Sequence, residues 1–410
     1  MPSDVDPEIP AGCHVTFVQT LSRHGARYPT WGKTIAYRNM AEKIKSDVGS
    51  FTGKYAFLKD YNYSLGADEL TEFGEESMIK SGTKFYERYQ DLARHSTPFT
   101  RASGQSRVIM SAQKWIDGFR MSGYPLGLAN STAGKPYDMV IISEDGGANN
   151  TLSHGLCNVF ETGPSSEIAS DAQAKWIEIF VRPILPRLNA DLPGAKLSAI
   201  EVVYMMDLCP FHTVASSTGR LSRFCNLFTE KEWRQYDYLQ TLGKYYGYGY
   251  GNPLGPTQGV GFANELIARL TSSPIKDSTS TNRTLDSDPQ TFPLDRTMYA
   301  DFSHDNVMTS IFAALGLYNS TPPLSNTSIE TVEHSKGYSA AWTVPFGARA
   351  YFEKLSCAHE KEELVRVLIN DRVLPLEQCG GDRYGRCKLS AFVDSLDFAR
   401  GDGRWDECSS

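Results

Sequence analysis

A chain of 410 residues, 40% hydrophobic and 22% charged, can hold two or three domains and has an ordinary globular composition, which excludes wholesale disorder and collagen-like repeats. Its formal net charge of −7 supplies no general positive field, so nucleic acid and anionic lipid are disfavoured partners. No apolar run approaches the roughly 18 residues of a membrane-spanning helix.

The opening MPSDVDPEIPAG lacks the basic and apolar regions of a signal peptide and reads as the start of an already processed chain. His14-Val-Thr-Phe-Val-Gln19 is a β-branched and aromatic run that predicts a strand. It feeds a loop, Ser22-Arg-His-Gly-Ala-Arg-Tyr-Pro29, where Gly25 and Pro29 break regular structure. A second strand, turn and helix follow: Phe99–Ser103, Gly104, then Val108, Ile109, Ala112, Trp115, Ile116 and Phe119 at three-and-four spacing. Tyr137–Ile142 makes a third strand candidate. From about Thr151 to Gly259 helical signals dominate, with Trp176, Ile177, Phe180, Val181, Ile184 and Leu185 on one stripe. Tyr246–Pro256, rich in Gly and Tyr, reads as a loop.

Alternation then resumes. Val260, Ala263, Ile267 and Leu270 predict a helix, Met298–Phe302 a strand, and Val307 to Leu315 a helix closed by Gly316. Ala348–Leu355 and Leu364–Ile369 read as antiparallel edge strands around a charged turn. The fold class is therefore α/β: a mostly parallel sheet flanked by helices, with 1–150 and 260–410 as its two parts and 151–259 as a smaller, mainly α insertion.

Eight cysteines, with no CxxC pair, argue against a zinc ribbon. Together with N-x-S/T sequons at Asn62, Asn130, Asn149, Asn282, Asn319 and Asn326 they suggest oxidised thiols and glycans on a secreted, extracellular chain. Of the many connectivities, only Cys209 with Cys225 and Cys379 with Cys387 are near enough in sequence to suggest local loops.

Ligands of parallel sheets sit beyond the strand C-termini, and two strands end there in unusual strings, Arg23-His24-Gly25-Ala26-Arg27 and Ser303-His304-Asp305. Two arginines around a histidine suit a tetrahedral phosphate, because guanidinium forks supply paired donors and permanent charge. A neutral histidine nitrogen can attack phosphorus, and flanking Arg23 and Arg27 would lower the pKa of His24 and keep it neutral in acid. By residue type alone His24 and His304 are equal candidates for the nucleophile. An aspartate such as Asp305 at a helix start is commonly an N-cap; alternatively it is a general acid that protonates a departing alkoxide. These groups suffice for a phosphomonoesterase without a metal or other cofactor, and no HExxH, EF-hand or P-loop motif is present.

The string Arg23-His-Gly-Ala-Arg-Tyr-Pro29 with a distant His304-Asp305 resembles the histidine acid phosphatases, which share a phosphoglycerate mutase-like fold. The resemblance is closer still to fungal phytases of the 3-phytase type, carried by Tyr61–Asp68, Phe99–Gly104, Lys244–Gly247, Gly251–Pro256 and Phe302–Asp305. It implies His24 as nucleophile, Asp305 as proton donor, and Arg23, Arg27, Arg101 and His304 as donors gripping the scissile phosphate. Lys33 and Lys244 match positions that contact other phosphates of myo-inositol hexakisphosphate (phytate). The family disulfides carry over as Cys13 with Cys357, Cys157 with Cys408, Cys209 with Cys225, and Cys379 with Cys387.

The implied protein is a secreted, monomeric acid phosphomonoesterase that starts at the 3-phosphate of phytate. Competing readings are a broad-specificity acid phosphatase and a non-catalytic phosphate-binding protein, and a proton donor beside His304 favours an enzyme. The sequence lacks an N-terminal extension with a further cysteine pair and a Gly-Gln-Tyr stretch that similar enzymes carry, so the resemblance bears on phosphatase chemistry more directly than on phytate affinity. His212 stands where similar enzymes have an acidic residue and reads as structural; Gly243 precedes Lys244 where some have a second lysine.

Overall fold

The structure, a computed structural model, describes residues 3–123 and 139–409. Its strands are β1 Cys13–Arg23, β2 Phe99–Ser103, β3 Met139–Ile142, β4 Met298–Ser303, β5 Arg349–Cys357, β6 Leu364–Ile369, β7 Arg372–Leu374 and β8 Arg386–Lys388. They form one mixed sheet in the order β3-β2-β4-β1-β5-β6-β7, with β8 on β6. The strands β3, β2, β4 and β1 run parallel, while β5 to β8 pair antiparallel. The expected parallel character thus belongs to one half of the sheet. Helical crossovers separate β1 to β4 in sequence, whereas β5 to β7 are joined by turns too short for a parallel return. The strands read as an antiparallel edge do pair, but β5 lies between β1 and β6, and the short β7 and β8 form the edge.

Both faces of the sheet are covered. Helices Glu72–Arg88 and Ser106–Gly123 bury Phe85, Trp115 and Phe119 against Val18, Ala300 and Phe302 on one face. Helices Val260–Thr271 and Asp305–Ala314 bury Phe262, Leu266 and Ile311 against Leu21, Phe352 and Val367 on the other. Each such large apolar side chain contributes roughly 2 kcal/mol of burial free energy.

A third core is helical. Trp176, Phe180, Ile184, Leu188, Val202, Met206 and Leu242 pack with Tyr37, Met40, Ile44, Tyr55 and Leu58. The segment expected as an insertion supplies most of this core, and helix Trp31–Asp47 from the first part of the chain joins it.

Other boundaries differ for local reasons. The 176–185 stripe is two helices, Ile168–Phe180 and Ile184–Asp191, separated at Pro183. Tyr246, Gly247 and Tyr248 are not loop but the last turn of helix Glu230–Tyr248, where Gly247 lets that helix approach Ala169. Strand β1 runs on through Arg23 because β4 and β5 flank it on both sides. Tyr137 and Asp138, placed in the third strand, lie outside the described residues, as does the Asn130 sequon.

The disulfides are Cys13–Cys357, Cys157–Cys408, Cys209–Cys225 and Cys379–Cys387, and no cysteine is free. Asn62 and Asn319 are exposed and Asn326 half-buried. Asn149 and Asn282 are tied into the fold: Asn149 Nδ2 donates to the Thr281 carbonyl at 2.7 Å, and Asn282 Nδ2 donates to the Asn149 carbonyl at 3.2 Å. Among the described residues no helix is long and apolar enough to cross a membrane.

Candidate active site

Parallel pairing of β1 with β4 matches Arg23 to Ser303, so His24 and His304 leave the sheet side by side at its C-terminal edge. Their rings meet edge to face, with centroids 5.7 Å apart. The His24 backbone is fixed from both sides: its N–H donates to the Ser303 carbonyl at 3.1 Å, and its carbonyl accepts from Gly347 N–H at 3.0 Å. Gly25 is required by a close backbone approach. A Cβ there would stand 2.6 Å from the Gly74 carbonyl oxygen, where helix Glu72–Arg88 begins under its Thr71 cap.

His24 is 1% exposed, and its Nδ1 lies 2.8 Å from the Gly25 carbonyl. A carbonyl only accepts, so Nδ1 carries the proton and Nε2 holds the lone pair. Burial, with the charges of Arg23, His304 and Arg27, holds its pKa well below the usual histidine value. The ring therefore stays neutral further into acid than a free histidine, with its lone pair on Nε2. The arginine effect expected from the sequence is present, but burial is the larger cause.

Two guanidiniums, Arg23 and Arg27, act on this ring, and a third acts on both of them. Arg23 donates through Nη1 to the Val344 carbonyl at 2.7 Å and stacks on Phe346, 4.4 Å from its centroid. Arg27 donates through Nη1 to the Tyr28 carbonyl at 2.8 Å. The third is Arg107, in the first turn of helix Ser106–Gly123, 3.9 Å from the Asp68 carboxylate. Burial and then the Arg107 charge push Arg27 down to about 10; burial and Arg107 also lower Arg23. Each of the three keeps a buried Nε–H without a hydrogen-bond partner. Such donors, clustered beside like charges, suit a multiply charged tetrahedral anion.

Arg101, expected in this clamp, is not part of it. Its side chain is 2% exposed and committed to a buried network, Nε to Asp301 at 2.8 Å and Nη2 to Glu265 at 2.5 Å, with Arg269 on the other Asp301 oxygen at 2.7 Å. Its partners lie far along the chain, and the register that matches Arg101 to Asp301 pulls it across the sheet. Arg107 was missed because it stands inside an apolar helical pattern; the available signal was its place one turn beyond the β2 C-terminus.

Asp305 is the first residue of its helix and does not cap it; the capping position is His304. Its Oδ2 instead meets Arg23 Nη2 at 3.3 Å and Lys244 Nζ at 2.5 Å. Burial favours the neutral acid, but Arg23, Lys244 and His24 outweigh it and hold the carboxyl well below the usual aspartate range. Lys244 also donates to Asn306 Oδ1 at 2.5 Å, so it belongs to the centre of the cluster rather than its rim. Lys33 is exposed above Tyr204, its ammonium 4.7 Å from the ring centroid.

His304 donates from Nε2 to Glu144 Oε1 at 2.9 Å, and the same oxygen accepts from Ser103 Oγ at 2.5 Å. Sequence reasoning did not single out Glu144, which follows β3 in a turn-rich string. His212 lies outside the cluster, stacked on Phe224 with its Nε2 hydrogen-bonded to the Tyr61 hydroxyl at 2.7 Å. Burial pushes its pKa down to about 4. Among the described residues no group of three or more His, Cys, Asp or Glu is arranged to hold a metal ion.

This sheet with its histidine-and-arginine edge defines a histidine phosphatase: the chain belongs to the histidine phosphatase superfamily (branch 2), whose family model matches residues 14–370. Among individual relatives, Phytase A of Aspergillus oryzae is 57% identical over 410 residues, covering 99% of this chain and 87% of that protein. Phytase A of Emericella nidulans is 57% identical over 408 residues, with 99% and 87% covered. The crystal structure of the phytase from D. castellii superposes with a TM-score of 0.78 at 25% identity, covering 97% of this chain and 83% of that one. A multiple inositol polyphosphate phosphatase from Bifidobacterium longum, in complex with inositol hexasulfate, shares the fold with a TM-score of 0.65 at 15% identity, over 95% and 93% of the two chains.

Proposed function

We propose that the protein is a phosphomonoesterase that removes phosphates from phytate through a phosphohistidine on His24, with Asp305 as proton donor. The observation that carries this reading is the His24 ring: Nδ1–H is spent on the Gly25 carbonyl, and the nucleophilic Nε2 belongs to a ring enclosed by cations with a carboxyl in reach. The relatives named Phytase A, identical at more than half of their matched positions, support the substrate.

The scissile phosphate takes the donors of Arg23, Arg27 and Arg107, with His304 beside them. His24 Nε2 attacks phosphorus, the P–N bond forms, and the ester P–O bond breaks as its electrons pass to the inositol oxygen. That oxygen takes a proton from Asp305, because an inositol alkoxide is a poor leaving group. Water then attacks phosphorus, the P–N bond breaks, and Asp305 recovers the proton from water as inorganic phosphate departs.

Asp305 is ionised before substrate arrives, since Arg23 and Lys244 neutralise it. A bound phosphate draws both cations and adds negative charge nearby, which raises the carboxyl's proton affinity, so Asp305 takes up a proton from solvent as the substrate binds and holds it for the leaving oxygen. On this reading Lys33, and Lys244 once released, meet neighbouring phosphates of phytate. Four disulfides support an oxidising, extracellular setting.

The test is a timed phytate digestion near pH ~5 with inositol phosphate isomers separated, with and without chelator. The expected result is loss of the 3-phosphate first, at a rate the chelator leaves unchanged. Rapid turnover of p-nitrophenyl phosphate with little pentakisphosphate formed would instead make this a broad-specificity acid phosphatase.

A further inference from the structure

The parallel half of the sheet delivers side chains to one edge from all four of its strands. In the order β3-β2-β4-β1 these are Glu144, Ser103, His304 and His24, each at or just beyond a strand end. The first three form a hydrogen-bonded row that ends beside the fourth. Glu144 Oε1 accepts from Ser103 Oγ at 2.5 Å and from His304 Nε2 at 2.9 Å, and Ser103 Oγ accepts from Asn150 Nδ2 at 3.0 Å. Asn150 is itself anchored to the Ile142 and Ser143 carbonyls at 3.2 and 3.1 Å, so the row is braced against the β3 backbone. The Glu144 carboxyl is 15% exposed and the His304 ring 12%.

We propose that Glu144 is a positioning residue: by accepting the His304 Nε2–H it fixes that ring's rotation, and so the edge the ring turns toward the phosphate beside His24. This rests on the phosphatase reading above and adds to it a residue that touches no substrate. An imidazole on a single-bonded stem can turn about its side-chain axes; a charge-assisted bond to a half-buried carboxylate that Ser103 also holds removes that freedom before substrate binds. A half-buried acid whose one oxygen serves both Ser103 and His304 ties that histidine to the end of β2.

The experiment is a double-mutant cycle of Glu144→Ala and His304→Ala, read as kcat on phytate and as the inhibition constant of inorganic phosphate, with Glu144→Gln as an isosteric control. We expect Glu144→Ala to lower kcat and weaken phosphate by about tenfold or more, in line with loss of one charge-assisted hydrogen bond. Glu144→Gln, which keeps an acceptor oxygen but no charge, falls between the two. In the His304→Ala background Glu144→Ala should change either quantity by less than about twofold, because the ring it acts through is gone. Equal losses in both backgrounds would make Glu144 merely structural and overturn the proposal. Normal kcat and phosphate affinity in Glu144→Ala, with His304→Ala impaired, would overturn it alone, whereas an unimpaired His304→Ala would overturn the reading of the site with it.

Discussion

Lys244 Nζ lies 2.5 Å from the Asp305 carboxylate, on the same oxygen that Arg23 meets at 3.3 Å. The proposed proton donor is therefore held as an anion by two cations until a phosphate competes for them. Removing one cation raises the carboxyl's pKa, because cations favour its charged form. Lys244→Met should thus move the alkaline limb of kcat on a simple alkyl phosphate to higher pH while raising KM for phytate. A limb that stays put or moves to lower pH would show that this pair does not govern the acid.

Asp305→Asn separates the acid role from binding. Phytate hydrolysis should fall by about 100-fold or more, while p-nitrophenyl phosphate, whose leaving group needs no proton, loses much less. Equal slowing of both substrates would remove Asp305 from proton transfer.

Arg101 within β2 and Arg107 just after it divide the labour. Arg107→Ala should weaken inhibition by inorganic phosphate without lowering the unfolding temperature much. Arg101→Met leaves Glu265 and Asp301 buried with one fewer cation, a loss of about 3–5 kcal/mol that a thermal melt will register. Phosphate affinity lost through Arg101 in a fully folded protein would reverse this assignment.

That division also shows what the sequence could carry. The loop Arg23–Arg27 and the pair His304-Asp305 were legible because each is local, and both follow strands whose β-branched and aromatic runs stand out. The parallel register then joins them with nothing left to choose. Arg101 was misassigned because its function depends on Asp301, a partner 200 residues away that only the sheet reveals. Residues 31–47 fall by chain order in the sheet's first part, 1–150, whereas they form a helix whose Tyr37, Met40 and Ile44 pack into the helical core. The Lys244–Asp305 pair could not be foreseen either, since it joins two elements by packing alone.

His212 sets an acid limit on stability. Its folded pKa, about 4, lies below the ordinary 6.5, so above pH 6.5 the ring is neutral folded or unfolded and costs nothing. As pH falls from 6.5 toward about 4 the unfolded chain takes a proton that the fold refuses, and stability is lost across that window. His212→Gln, whose amide can either accept from or donate to Tyr61, should therefore gain stability relative to the parent as pH falls through it. A difference in unfolding temperature that does not change between pH 7.5 and pH 4, on the order of these limits, would contradict this.

The most direct measurement is capture of the phospho-enzyme. Protein mixed with labelled phytate, quenched in alkaline denaturant within milliseconds and digested, should carry acid-labile label on the His24 peptide, and His24→Ala should carry none. Label on any other residue, or label that survives in His24→Ala, would contradict the account.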